Sequence, residues 1–160
     1  MKKSVLFLVG FSRHCLGLRA QEDMAMPSPP KELQKFERLI GTWTGKGMAV
    51  MAPGAPEMPW TSKSMIRKVL NGFFLQEDTV IEAGPNMTLV FRTFYGFDTQ
   101  NKKYMQCMAG NMGGVAASEI HWVDDDTMVS AQAAVSPQTG RFTVERWVTK
   151  IAKDQISFFG

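Results

Sequence analysis

The side chains best suited to chemistry in this chain are His121, Cys107 and Glu77, and each has a plainer structural reading beside it. His121 is the only histidine after His14, which excludes a metal site built from several imidazoles. Together with Asp124-Asp125-Asp126 it could form a mixed ligand set for a cation. The stronger reading ends a strand at His121-Trp122-Val123 and makes the three aspartates a solvated turn. Cys107 and His121 would make a nucleophile and its base if they met across strands. Nothing in their spacing requires that meeting, and a free cysteine mostly packs as a small hydrophobe. Asn86-Met87-Thr88 matches a glycosylation sequon, which carries meaning only if the source is not bacterial.

Glu77 is the most informative of the three. Strict alternation places it with Leu75, Thr79 and Ile81 on one face, opposite Gln76, Asp78 and Glu82. A carboxylate on the inner face of a sheet needs a partner or a raised pKa, and Arg67, Arg92 or Arg146 could supply that partner. The preferred readings are a misjudged strand register or an internal salt bridge, and the alternative is a polar anchor for a ligand. Arg146 is argued inward in the same way, because Phe142, Val144 and Val148 share its face. The neighbouring strand puts Met87, Leu89, Phe91, Thr93 and Tyr95 on one side. The pocket candidates are accordingly Glu77, Leu75, Phe91, Tyr95 and Arg146, with no catalytic residue, no metal and no cofactor assigned.

These residues must be positioned by strands. Segments rich in β-branched and aromatic residues alternate with turn signals about every dozen residues, the rhythm of an antiparallel meander. Strands are expected near Thr42–Met51, Trp60–Leu70, Phe73–Glu82, Met87–Phe97, Lys103–Ala109, Val115–Val123, Thr127–Ala134, Phe142–Ile151 and Gln155–Phe159. Asn71-Gly72 reads as a two-residue hairpin turn, since both positions tolerate positive φ. Gly84-Pro85-Asn86, Asp98 to Lys102, the triple aspartate and Ser136 to Gly140 mark further turns. In the first strand Trp43, Gly45, Gly47, Ala49 and Met51 share a face, and glycines there let a strand bend or admit a close neighbour. Ahead of it, Leu33, Phe36 and Leu39-Ile40 have helical spacing, with Ser28 as the cap, Pro29-Pro30 in the first turn and Gly41 as the stop. No helix follows a strand closely enough to build a phosphate loop.

The 160 residues are 44% hydrophobic and 21% charged, the composition of one globular domain rather than a disordered chain. No apolar run approaches the ~20 residues of a spanning helix, so no stable membrane insertion is expected. The net charge of +3 is misleading. Residues 1–20 hold four of the 18 basic groups and no acid, leaving 14 to set against 15 acids in the rest. Nucleic-acid binding, which needs basic residues clustered on the fold, is therefore not expected. The leader itself reads as an export signal. Lys2-Lys3 precede the apolar run Val5 to Phe11, and Ala20 is a small residue ahead of Gln21. Residues 21–30 form a linker, and 31–160 a single domain. The expected location is the periplasm or the exterior, a disordered cytoplasmic tail being the alternative. Cleavage would leave Cys107 alone, with no intramolecular disulfide.

Gly41-Thr42-Trp43-Thr44-Gly45-Lys46-Gly47, directly after Phe36-Glu37-Arg38-Leu39-Ile40, resembles the opening of calycin-type barrels. It is similar to lipocalins (G-x-W) and closer to nitrobindins (G-x-W-x-G-x-G). From about Lys31 onward the chain most resembles a bacterial domain-of-unknown-function family, number 1579. The resemblance continues through Ala52-Pro53-Gly54-Ala55-Pro56, the hairpin Leu70-Asn71-Gly72-Phe73-Phe74-Leu75-Gln76-Glu77, and Gly96-Phe97-Asp98 before Tyr104. It implies an all-β, antiparallel up-and-down calycin-like barrel with one short N-terminal helix. Trp43 would plug the base near that helix. Relative to the family the chain is expected to be incomplete at its C-terminus, with Ser157 to Gly160 falling inside a strand and an unprotected edge left behind. A haem site is not implied, because no histidine follows His121.

The function expected from this reading is binding of a small, largely apolar molecule inside the barrel, without catalysis. A structural or protein-interaction module with a filled interior is the alternative, and a hydrolase-like enzyme comes third. Eleven methionines beyond Met1 make the interior adaptable, which suits a cavity as well as a core.

Overall fold

The computed structural model describes residues 26–50, 54–135, 140 and 142–159. The expected leader (1–20), part of the linker (21–25), Met51 to Pro53 and most of the Ser136 to Gly140 turn lie outside them. The described chain opens with a short helix and continues as nine strands. These are β1 (Gly41–Ala49), β2 (Met58–Val69), β3 (Phe74–Ala83), β4 (Met87–Asp98), β5 (Lys103–Gly110), β6 (Val115–Trp122), β7 (Thr127–Val135), β8 (Phe142–Ile151) and β9 (Ile156–Phe159). Every strand pairs antiparallel with its neighbours in sequence, in the order β1 to β9. The result is a single curled, up-and-down, barrel-like sheet. Among the described strands β1 and β9 each carry one ladder and form its two edges.

The helix, Lys31–Leu39, is of the 3-10 type. Its buried residues are Leu33, Phe36 and Leu39, spaced by three, which is the period that stacks side chains on one face at 3.0 residues per turn. Two expectations are corrected here. Ile40 lies beyond the helix and is 40% exposed, because a three-residue period carries the apolar stripe from Leu39 away from it. The cap is Pro30, with no side-chain capping bond, rather than Ser28. Phe36 is fully buried, its ring 5.5 Å from those of Tyr95 and Tyr104 and 5.7 Å from Trp122. Burial of such a side chain contributes on the order of 2–3 kcal/mol. The core thus sits where the helix closes one end of the curled sheet, among Leu33, Phe36, Leu39, Leu75 and Ile120.

Arg38 fastens the helix to the far strands. Its guanidinium donates to the carbonyls of Asp125 (3.1 Å) and Ile151 (3.1 Å) and pairs with the Asp126 carboxylate. The triple aspartate is the expected turn, closed by the Val123 amide on the Thr127 carbonyl (2.9 Å) and by the Asp126 amide on Asp124 Oδ1 (2.8 Å). That amide bond and those of Thr127 outweigh a small burial effect and hold Asp124 below the usual carboxylate range. The β2–β3 connection differs from a two-residue turn. Val69 pairs with Phe74, so four residues form the loop, and Leu70 (φ 50°) and Asn71 (φ 55°) are both left-handed. Phe73 accordingly lies outside β3, which begins at Phe74.

Candidate functional site

The inner face of the sheet is set by period two and by the registers of the short hairpins. In β1 it carries Trp43, Gly45 and Gly47. Trp43 joins helix to sheet, donating its indole N–H to the Leu39 carbonyl at 2.8 Å. Gly47 stands opposite Trp60 in the ladder, and a Cβ there would come within 2.8 Å of the indole ring. A Cβ at Gly45 would lie 3.2 Å from the same ring and 2.6 Å from Ser62 Oγ. The two glycines therefore form a bed on which Trp60 lies flat, the close neighbour that the sequence pattern allows.

Glu77 projects from β3 onto this face. Its Oε2 accepts the Tyr95 hydroxyl at 2.6 Å, and its Oε1 accepts that of Thr79 at 2.9 Å. Thr79 in turn lies 2.7 Å from Ser64 Oγ, directly across the β2–β3 ladder. Since the Thr79 proton is directed at the carboxylate, Ser64 donates to Thr79, and the hydroxyls form a chain polarised toward Glu77. None of the ion pairs among the described residues involves Glu77. The expected internal salt bridge is therefore replaced by hydroxyl donors. Burial first, then the neighbouring carboxylate, pushes the Tyr95 phenol well above its usual value.

Arg67 and Arg92 are on the opposite face. Both reach Asp78, at 3.3 and 2.6 Å, forming a fork across β2, β3 and β4. Partial burial of Asp78 works to raise its pKa, but hydrogen bonds from Arg92 and Gln76 and the charges of both arginines outweigh it and hold the carboxyl low. Arg146 is also outward, and its expected inward placement is corrected. It is exposed and shares a face with Val144 (66% exposed), whereas Thr149 and Ile151, of opposite parity, are buried. The valines used to assign the face point outward themselves, Val144 at 66% exposure among them. The Phe142 side chain lies outside the described residues.

Glu77 and Tyr95 stand on the wall of a cavity of about 530 Å³. It runs between β1 to β4 on one side and Met128, Thr149, Ile156 and Phe158 on the other. Trp43 and Trp60 are among its apolar lining residues, and Ser62, Ser64 and Thr149 among its polar ones. A second, more open groove near the β1–β2 and β3–β4 connections is lined by Pro56, Met58, Pro85 and Met87. Trp60 borders both spaces. Of the other pocket candidates, Leu75 is 1% exposed and belongs to the core beneath the helix. Phe91 is on the inner face but lies over Gly110, its cross-strand partner, away from the cavity wall. Ser64, Thr79 and Trp60 were not among the candidates. Register was the missing signal, since Ser64 opposite Thr79 and Trp60 opposite Gly47 follow only once the hairpin loops are fixed.

Cys107 and His121 do not meet. Cys107 is exposed on the outer face opposite Phe94 and Ala117, rather than buried as a small hydrophobe. His121 is four residues along β6 from Ala117, about 13 Å at the rise of a strand, and its imidazole lies 3.5 Å from Glu119. No nucleophile–base pair is formed there.

No match to the chain is found among curated proteins or among solved structures. A family model does match it, over residues 28–157, which takes in the helix, the glycine bed, β1 to β8 and the first half of β9. The chain belongs to the family described as Protein of unknown function (DUF1579).

Proposed function

We propose that the protein binds a small, largely apolar molecule in the cavity inside its sheet and performs no chemistry on it. The observation that carries this reading is Glu77, held by two hydroxyl donors on the wall of a space of about 530 Å³ beside two tryptophans. Ligand pockets commonly span about 300–1,000 Å³ and combine apolar walls with a few convergent polar groups. The space opens to solvent beside β1 and β9, where Lys46, Met48 and Phe158 are exposed, which gives a ligand a way in. The absence of a nucleophile–base contact at Cys107 and His121 favours binding over hydrolysis.

Titration with the neutral fluorophore N-phenyl-1-naphthylamine tests the reading. Saturable enhancement at one site per chain is expected, and Ser62→Phe, which projects a ring into the cavity, should abolish it while leaving the urea melt cooperative. Absence of saturable binding, or binding unchanged in Ser62→Phe, would favour the filled-module alternative.

A further inference from the structure

We propose that the ligand is a protonated organic amine, with its ammonium group on Glu77 and its apolar body against the tryptophans; this rests on the cavity-binding reading above. A carboxylate offers about four acceptor directions, and Tyr95 and Thr79 occupy two. Both donors come from β3 and β4 and stand within the wall. The remaining acceptor capacity is left for a group in the cavity.

The charge balance selects the kind of group. A neutral hydroxyl could satisfy the lone pairs, but it would leave the carboxylate charge without a counterion. The candidate arginines do not supply one, since Arg67 and Arg92 are committed to Asp78 on the far face and Arg146 is outward. Among the described residues, two other charged side chains border the cavity, Lys46 and Asp154, and both are exposed and of opposite sign. A carboxylate ligand would meet Glu77 as a like charge. An ammonium would gain a charge-assisted hydrogen bond, and the aromatic side chains of Trp43 and Trp60, which border the same space, attract a cation.

The test uses three ligands with one chain and different heads: octylammonium, 1-octanol and octanoate, titrated calorimetrically into the full chain near neutral pH. Octylammonium is expected to bind tighter than octanol by about tenfold or more, the scale of one charge-assisted hydrogen bond, with octanoate weakest. Glu77→Gln keeps the shape of the side chain and should bring octylammonium down to octanol. Octanol or octanoate binding as tightly as octylammonium would overturn the amine proposal and leave the cavity reading standing. A preference that survives Glu77→Gln would overturn the placement of the ammonium. No binding by any of the three would overturn both readings. Should Glu77→Gln fail to fold, the order of the three heads on the unaltered chain decides.

Discussion

Tyr95 is a phenol held in its neutral form from two directions. Burial removes the water that would solvate a phenolate, and the Glu77 carboxylate repels the negative charge and accepts its proton. The chain has only one other tyrosine, Tyr104, which burial and then Glu32 also shift upward. The sign of the linkage follows. Above the ordinary tyrosine value of about 10 the unfolded chain releases the Tyr95 proton while the folded chain keeps it. This contribution to stability is therefore complete below that pH and is lost as pH rises toward the folded value. Absorbance at 295 nm is expected to show Tyr104 ionising first and Tyr95 only with unfolding. Tyr95→Phe should shrink the alkaline loss of stability in urea melts. A Tyr95 that titrates near 10 in the native protein would contradict the buried hydroxyl–carboxylate pair. The identities of Glu77 and Tyr95 as inward residues were legible from alternation alone. Their contact was not, because it depends on the β3–β4 register, in which Glu77 faces Thr93 and reaches Tyr95 diagonally.

At the scale of elements, one device recurs: an aromatic ring laid across a glycine on an adjacent strand. Trp60 covers Gly47, Phe91 covers Gly110 and Phe74 covers Gly96, with Cβ positions that would fall 2.6 to 2.9 Å from the ring atoms. Each pair keys one strand against the next, since a slip of one residue would move the ring to the other face. Gly47→Ala is expected to cost about 1–3 kcal/mol, the usual range for overpacking, because neither the indole nor the strand beneath it can yield freely. Gly114→Ala, where a Cβ meets nothing within 4 Å, should change stability by no more than about 0.5 kcal/mol. Equal urea midpoints for the two variants would show that the glycine bed carries no packing constraint. Nine strands were legible, with ends displaced by no more than two residues, because turn residues punctuate the chain so regularly. The face of β8 was misread where valines point outward, and the helix was read with one residue too many because three- and four-residue spacings overlap at Leu39-Ile40.

At the scale of the whole molecule, the sheet and the helix solve different problems. The sheet makes the concave wall by pairing each strand with its neighbour in sequence. The helix closes one end with Phe36, which its apolar spacing announced, and is tied down by Arg38, which nothing in the sequence did. Arginine on a short helix reads as a solvated charge until the β6–β7 turn and the end of β8 are brought beside it.

That tie has a kinetic consequence. The ladders join residues near in sequence, whereas Arg38 reaches Ile151 across 113 positions and Asp125 across 87. Closing a long loop costs entropy that is recovered only when the contact is made, so local pairings are favoured early. The sheet should therefore assemble hairpin by hairpin, with the helix docking after the rate-limiting barrier. Arg38→Ala, expected to remove about 1–2 kcal/mol, should then speed unfolding and leave the rate of refolding unchanged. In a stopped-flow chevron the unfolding arm would move up and the refolding arm stay in place. A refolding arm that slows by the full stability loss would instead make the helix part of the nucleus. On the docking-last order, the cavity spends its earliest moments as an open trough, and any ligand present at that stage meets the wall around Glu77 before the helix that sets Phe36 against Tyr95 is in place.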